Sequence, residues 1–463
     1  MKARIKELYQ KGALHIILGT FALKFVAFFG SIVVVRLLTK TDYGLLGYVE
    51  SVCGYAFVFA GFGLLNGLFR YMIIAKNKIE QKQYFMFIIK NSFLINIGIS
   101  LILCISALWF LKIPDNYASA RGLLIIMSLL APFRNLLDEI LCTLRTFFEN
   151  KLYAYGTFLS SALLIVGRVI GAWMGGVNGV VWSRIILNAA FAIWGLIFVY
   201  NRFIIKDTVP RLERAKQKQV MAFSIQYMIT NGFWAIFMLN GSFLIGTLLN
   251  DPSGLADYRA ASAIPSGISI FAGAIGIFVS PYFTKNEKDK AWVRKNYKRV
   301  YIVSALITGG LALGLAMLVK PLILFVYGER YLNIVSLMRV FLLAAFCNSG
   351  LRFTTANLLA CMGEIKYNMF TSAGGIIAQL ILDLTLIPVL GVMGAAIVDC
   401  IVYFLMATVL FVIFYRKFYM SPATLATADI AIIATAAAID KTDGDRDGDG
   451  NRDININKDG EKP

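Results

Sequence analysis

Thirteen ionisable residues lie within or at the shoulders of long apolar runs: Lys24, Glu50, Lys90, Arg134, Asp138, Arg145, Arg168, Arg184, Arg259, Arg339, Arg352, Asp383 and Asp399. Facing lipid at mid-depth, each would cost a few kcal/mol, so they are expected to point at a wet cavity or at one another. Cations outnumber anions in this set, and the planar guanidinium fork suits bidentate contact with phosphate. Lys24, Arg134, Arg145, Arg168, Arg259, Arg339 and Arg352 are therefore candidates for a cationic lumen. In "PFRNLLDEILCTLRTFFE", Arg134, Asp138 and Arg145 step by four and seven, one stripe of a helix. The structural alternative pairs Arg134 with Asp138 at i, i+4, or lets shoulder residues snorkel to headgroups. Glu50, Asp383 and Asp399 are candidates for ion coupling, because a carboxylate inside a span can take up H⁺ or hold Na⁺; the alternative pairs the aspartates with Arg339 or Arg352.

Other chemistry is sparse. The single His15 stands at the mouth of the first apolar run, where an interfacial place competes with a proton relay, and one histidine supports little acid–base catalysis. Six cysteines lie singly, without Cys-x-x-Cys, so neither disulfides nor zinc is expected. Near the end, Asp443, Asp445, Asp447 and Gly448 fit positions 1, 3, 5 and 6 of a calcium loop, but Ile454 stands where the bidentate Glu belongs. A second frame using Asp445, Asp447 and Asp449 ends on Ile456 and fails likewise. A disordered polar tail competes with a calcium site there.

The elements that must position these groups follow from composition. Of 463 residues, 58% are hydrophobic and 16% charged, and mean hydropathy is +0.70. That exceeds what a water-soluble core absorbs and points to an all-α polytopic membrane protein. About twelve runs are long enough to cross ~30 Å of hydrocarbon as helices. The net charge of +18 comes from short loops such as "RYMIIAKNKIEQKQ", "NRFIIKDTVPRLERAKQKQ" and "TKNEKDKAWVRKNYKR", whereas "GGVN", "NDPSGLAD" and "IPVLGV" are nearly free of cations. Alternation of this kind orients a membrane chain and does not suggest a nucleic-acid partner; it places both helical ends in the cytoplasm. The basic lead-in "MKARIKELYQKGAL" precedes a first run too long for a cleaved signal, so it is expected to be retained.

The chain repeats itself. Asp42-Tyr43 recurs as Asp257-Tyr258, and Gly176 and Gly179 recur as Gly391 and Gly394, each 215 positions on. The expected organisation is a six-helix lobe over 1–200, a basic linker over 201–219 and a second six-helix lobe over 220–418. A marginal apolar segment follows over 419–440, and a polar Asp/Gly-rich tail over 441–463. Asp42-Tyr43-Gly44 is expected to mark the hairpin after the first helix, with Asp42 leading a turn that caps the next.

The stretches "VRLLTKTDYGLLGY", "VYGERYLNIVSLMRVF", "LLACMGEIKYN" and "LTLIPVLGVMGAAIVD" resemble the polysaccharide transporters of the MOP exporter superfamily, the O-antigen and exopolysaccharide flippases. The resemblance runs over roughly residues 10–418. It implies two pseudo-symmetric six-helix bundles working by alternating access, with no cofactor and no catalysis. It also implies a cargo, an undecaprenyl-pyrophosphate-linked oligosaccharide moved outward across the inner membrane. Membrane lipids, a polysaccharide polymerase and chain-length proteins are the further partners it suggests. Where that family often has Asn, five residues before the Pro of "LIP", this chain has Asp383; where it often has a small polar residue after "GAAIV", this chain has Asp399. Two alternatives stay open: a cation-coupled drug or lipid exporter of a sister family, and a membrane enzyme of polysaccharide assembly. No loop between helices exceeds about twenty residues, which leaves the enzyme little room.

Overall fold

The computed structural model describes Val26 and residues 29–419. Lys24, His15, the marginal segment and the Asp-rich tail with its calcium candidates lie outside the described residues. Among those described, every regular element is a helix. Residues 29–37 form α1. Then come α2 (Lys40–Val58), α3 (Leu64–Ile74), α4 (Lys78–Ile105), α5 (Ala120–Ser128), α6 (Leu130–Thr146) and α7 (Asn150–Phe203). The second half holds α8 (Arg214–Leu248), α9 (Pro252–Ser266), α10 (Ser269–Lys285), α11 (Lys290–Met317) and α12 (Val319–Val326). It ends with α13 (Val335–Phe346), α14 (Phe353–Cys361), α15 (Ile365–Leu390) and α16 (Val392–Tyr419).

Eight helical stretches of the described residues are long and apolar enough to cross a membrane, or nine if the pair α2–α3, bent by 43°, is one span. Three features account for the gap to the twelve runs read from the sequence. The first run lies mostly before residue 29. The fourth is divided at Leu129 into α5 and α6, 9 and 17 residues long. And α7, at 54 residues, would be about 80 Å long if straight, but it leaves helical geometry at Gly175 and Gly176 and folds back on itself. Its two arms touch so closely that a Cβ on Gly179 would lie 2.0 Å from the carbonyl oxygen of Gly171.

The repeat reappears in the backbone. Gly176 has φ 55°, ψ −136°, and Gly391, 215 residues later, has φ 61°, ψ −143°, a region that favours glycine. A Cβ on Gly394 would lie 2.4 Å from the oxygen of Leu386, and Gly394 and Leu386 are the 215-residue counterparts of Gly179 and Gly171. Helices packed within the first half include α6 on α7, α4 on α6 and α2 on α5; within the second, α15 on α16, α8 on α15 and α9 on α13. Between the halves, α2 meets α9 and α8, and α3 meets α8.

The opening cluster of α2 is helical, not a turn. Thr39 caps α2, its Oγ1 accepting from the Asp42 N–H at 3.1 Å and donating to the Asp42 carboxylate at 2.7 Å. Asp257 likewise lies inside α9, whose cap is Asp251. The expected Asp-led turn is thereby corrected: α1 ends at residue 37, Thr39 caps α2, and Asp42 sits in the first helical turn.

At the end of the bundle carrying residues 38–40, side chains of each half reach the other's backbone. Arg36 Nε donates to the Val326 carbonyl at 2.7 Å and its other guanidinium nitrogen to Phe325, at the C-terminus of α12. Arg330 in turn donates to Leu38, at 3.0 Å, and to Val35, at the C-terminus of α1. Each guanidinium satisfies carbonyls that a helix end leaves open. Lys40 pairs with Asp257 at 2.8 Å. The opposite end is basic: Lys82 donates to the carbonyls of Ile205 and Asp207, and Lys216 pairs with Glu80 at 2.6 Å.

Gly44 and Gly47 allow α2 and α9 to cross. A Cβ on Gly44 would lie 1.7 Å from the Pro252 oxygen, and one on Gly47 would lie 2.5 Å from Arg259 Cδ. Gly44→Ala should lower thermal stability in detergent by overpacking, by ~1–3 kcal/mol. Gly98→Ala, on α4 with nothing within 4 Å of its Cβ position, should leave the melting temperature unchanged or slightly raised; equal melting of the two variants would show that the crossing tolerates a methyl group.

Candidate functional site

Where α2 meets α9, one carboxylate gathers three guanidinium groups. Glu50 on α2 accepts hydrogen bonds from Arg184, on the second arm of α7, and from Arg259 on α9; Arg168, on the first arm, stands 3.6 Å away. The four side chains are 17–29% exposed. Three cations against one anion leave a formal surplus of two positive charges. Arg168 Nε and Arg259 Nη1 are buried and meet no acceptor, so donors remain unused after Glu50 is satisfied. The Tyr43 ring lies 4.9 Å from the Arg259 guanidinium. Such a cluster is built to take one more anion.

Sequence reasoning offered Glu50 as an ion-coupling carboxylate; in the structure its oxygens face guanidinium groups. Arg168 and Arg259, expected in a cationic lumen, do converge, joined by Arg184. The other arginines do not join them. Arg134, Arg145 and Arg339 are exposed. Arg145 lies over the rings of Phe69 and Tyr153 at 4.8 and 5.1 Å. Arg134 and Asp138 form no ion pair among the described residues, so the structural alternative of an i, i+4 pair is not what holds them. On the buried face of α6 lies a group that sequence reasoning missed. Glu139, 1% exposed, accepts from Asn135 at 2.8 Å through Oε1, and Oε2 has no partner. Asn135 also donates to Ser92 at 2.7 Å, beside the break between α2 and α3. Asp138 drew notice because it fits the four–seven stripe, and its neighbour Glu139 occupies the protected side.

Asp383 and Asp399 are buried, at 1% and 8% exposure, and pair with neither Arg339 nor Arg352. Asp399 accepts from Tyr258 at 3.0 Å and from Gln379 at 3.2 Å. Gln379 accepts from Asn240 at 3.1 Å, and Asn240 from Tyr55, so the chain of bonds runs back to α2. Both oxygens of Asp383 lack partners. The 215-residue register relates Arg168 to Asp383, Arg184 to Asp399 and Tyr43 to Tyr258. Equivalent positions thus carry opposite charge in the two halves. That signal was readable in the sequence and was missed, because the register was tested on turns and loops and not on the charges. Arg352 lies apart from the cluster, in a cavity of the second half. Among the described residues no group of three His, Cys, Asp or Glu side chains could hold a metal.

A family model described as polysaccharide biosynthesis protein matches residues 33–336. The uncharacterized membrane protein MJ1068 of Methanocaldococcus jannaschii is 23% identical over 439 residues, covering 87% of this chain and 83% of that protein. Among solved structures, the lipid II flippase MurJ in an inward closed conformation superposes with a TM-score of 0.67 at 16% identity, covering 86% of each chain. An inward-facing multidrug resistance MATE family transporter of the MOP superfamily follows at 0.64 and 12% identity, covering 86% of this chain and 94% of that one. With the fold of the MOP transporters, many apolar helices and a family match over most of its described length, this multi-pass membrane protein belongs to the polysaccharide biosynthesis protein family.

Proposed function

We propose that the protein is a flippase that moves an undecaprenyl-pyrophosphate-linked oligosaccharide, an O-antigen, capsule or exopolysaccharide repeat unit, outward across the cytoplasmic membrane. The observation that carries this reading is the cluster of three arginines on one glutamate, where the two halves meet. A surplus of guanidinium donors in a partly buried seam suits a pyrophosphate. Alternating access needs the cargo to touch both halves, and Arg168 and Arg184 belong to one while Arg259 belongs to the other. The halves are the proposed lobes, 1–200 and 220–418, joined by the linker 201–219. The clasped end is the outer one and the basic end the cytoplasmic one, where the N-terminus lies. Asp383 and Asp399 are the proposed ion-coupling carboxylates, and polymerase and chain-length proteins the partners in the membrane. A second reading, a cation-coupled exporter, draws on the aromatic cavity of the second half with Asp399 in its wall. The surplus of arginine at the seam favours the anionic cargo.

Arg184→Gln should cut transport of a fluorescent lipid-linked oligosaccharide in proteoliposomes. Losing one charge-assisted bond of ~1.5–3 kcal/mol weakens binding roughly ten- to hundredfold. Arg184→Lys, which keeps the charge and loses the fork, should be intermediate. Full transport by Arg184→Gln at wild-type protein level removes the cluster from the cargo path.

Asp383→Asn and Asp399→Asn should accumulate normally and transport with weaker dependence on imposed proton or sodium gradients. Unchanged response in both single variants and in the double variant rules the aspartates out of coupling.

Orientation is checked by thiol labelling in a background lacking the six cysteines: Ser253→Cys should react from outside and Lys288→Cys from the cytoplasm. Labelling of both from one side refutes the proposed orientation.

A further inference from the structure

The second half encloses a cavity of about 750 Å³ walled by α8, α9, α13, α14, α15 and α16. Trp234 and Tyr403 present aromatic rings to it, and Asn231, Asn348, Asn357 and Asn368 present amides. Flat apolar rings beside paired donors and acceptors are what a saccharide needs, because a sugar ring offers an apolar C–H face edged by hydroxyl groups. The volume is within the ordinary range for a small-molecule pocket.

One charged side chain in this wall lacks a counter-charge. Arg352, 8% exposed, lies with its guanidinium 4.1 Å from the Trp234 ring and donates from Nε to Asn348 Oδ1 at 2.7 Å. It forms no ion pair among the described residues. Asp399 also lines the cavity, where its two oxygens accept from Tyr258 and Gln379 and do not pair with Arg352. Trp234 and Asn348 hold the guanidinium in place, and neither neutralises it, so the remaining fork is free for an anionic group entering the cavity.

The cavity and the arginine cluster share helix α9. Tyr258 lines the cavity and Arg259 reaches Glu50, so neighbouring residues of α9 serve the two sites. A glycan joined to a pyrophosphate is a cargo with one part for each. We infer that this cavity holds the sugar portion of the cargo and that Arg352 selects a sugar bearing a carboxylate, a uronic acid. The inference rests on the transport reading above and adds to it a class of sugar and the residue that recognises it. A neutral glycan would leave the buried guanidinium without an anion, and the cost of that falls on the wrong cargo.

The test uses the full chain in detergent with two probes, a glucuronic-acid-terminated disaccharide and its glucose-terminated counterpart. Binding is read by the tryptophan fluorescence change that is lost in Trp234→Phe. The acidic sugar should bind roughly tenfold or more tighter than the neutral one, and Arg352→Gln should bring the two affinities together. Arg352→Lys should retain part of the preference, and it is the variant to read if Arg352→Gln fails to accumulate. Equal binding of the two sugars, a preference that survives in Arg352→Gln or is undiminished in Arg352→Lys, or no binding of either sugar overturns the inference. Failure of the transport reading shows elsewhere, as no transport of the fluorescent lipid-linked oligosaccharide by the wild-type protein in proteoliposomes.

Discussion

The arrangement depends on the close crossing of α2 and α9, since there a guanidinium from the second half reaches a carboxylate in the first. Gly47 makes the passage: with any side chain at that position, Arg259 could not lie where it does. Once there, Arg259 shares Glu50 with Arg184 and, more distantly, Arg168. A carboxylate accepts about four hydrogen bonds, whereas three guanidinium groups bring many more donors. The seam therefore holds together while remaining short of negative charge. Removing Glu50 would strand three cations, and breaking a buried pair in this way costs about 3–5 kcal/mol. The proposed anionic cargo would have the opposite effect, and its partners there belong to different halves.

The two halves share a backbone plan and differ in charge. Gly176 and Gly391 turn their hairpins with nearly the same dihedral angles, and Gly179 and Gly394 make equivalent backbone contacts. On that common frame, Arg168 and Arg184 stand where the second half has Asp383 and Asp399. Two sites of equivalent position then carry side chains of unlike charge, which is why the proposed anionic cargo is assigned to the first and the proposed coupling ion to the second. The hydrogen-bonded line from Asp399 through Gln379 and Asn240 to Tyr55 joins the second site to α2, the helix that carries Glu50. Events at the two sites are thus physically connected through one element.

The membrane class, the all-helical fold and the repeat were legible because hydropathy, loop charge and glycine spacing are local properties of the chain. The convergence of Arg168 and Arg259 with Glu50 was not. Which spans meet is a long-range fact, and Glu50 read in isolation is an unpaired carboxylate suited to binding an ion. Arg134 and Asp138 show the reverse limit, since i, i+4 spacing brings side chains within reach but does not commit them to pair when both face outward. The turn at Asp42 was displaced by a few residues because Thr39, a good cap, competes with Asp42 for the same helix start. Glu139 escaped notice because one residue of helix separates an exposed position from a buried one.

The clasp at the end carrying residues 38–40 is made differently from the arginine cluster, and the difference bears on movement. Arg36 and Arg330 donate to carbonyls at helix C-termini, groups that water satisfies equally well when the clasp opens. Each such bond is worth only about 0.5–1.5 kcal/mol net, since opening exchanges it for a bond to solvent. The arginine cluster is harder to separate, because its charges have less access to water and moving Arg259 away would take it from its carboxylate. A few kcal/mol of differential binding is enough to shift an equilibrium between two such closures, and an anion at Glu50's arginines offers energy of that size. On the proposed alternating-access reading, reversible contacts at the rim and charge deficiency at the centre would let occupancy of the centre decide which end is open.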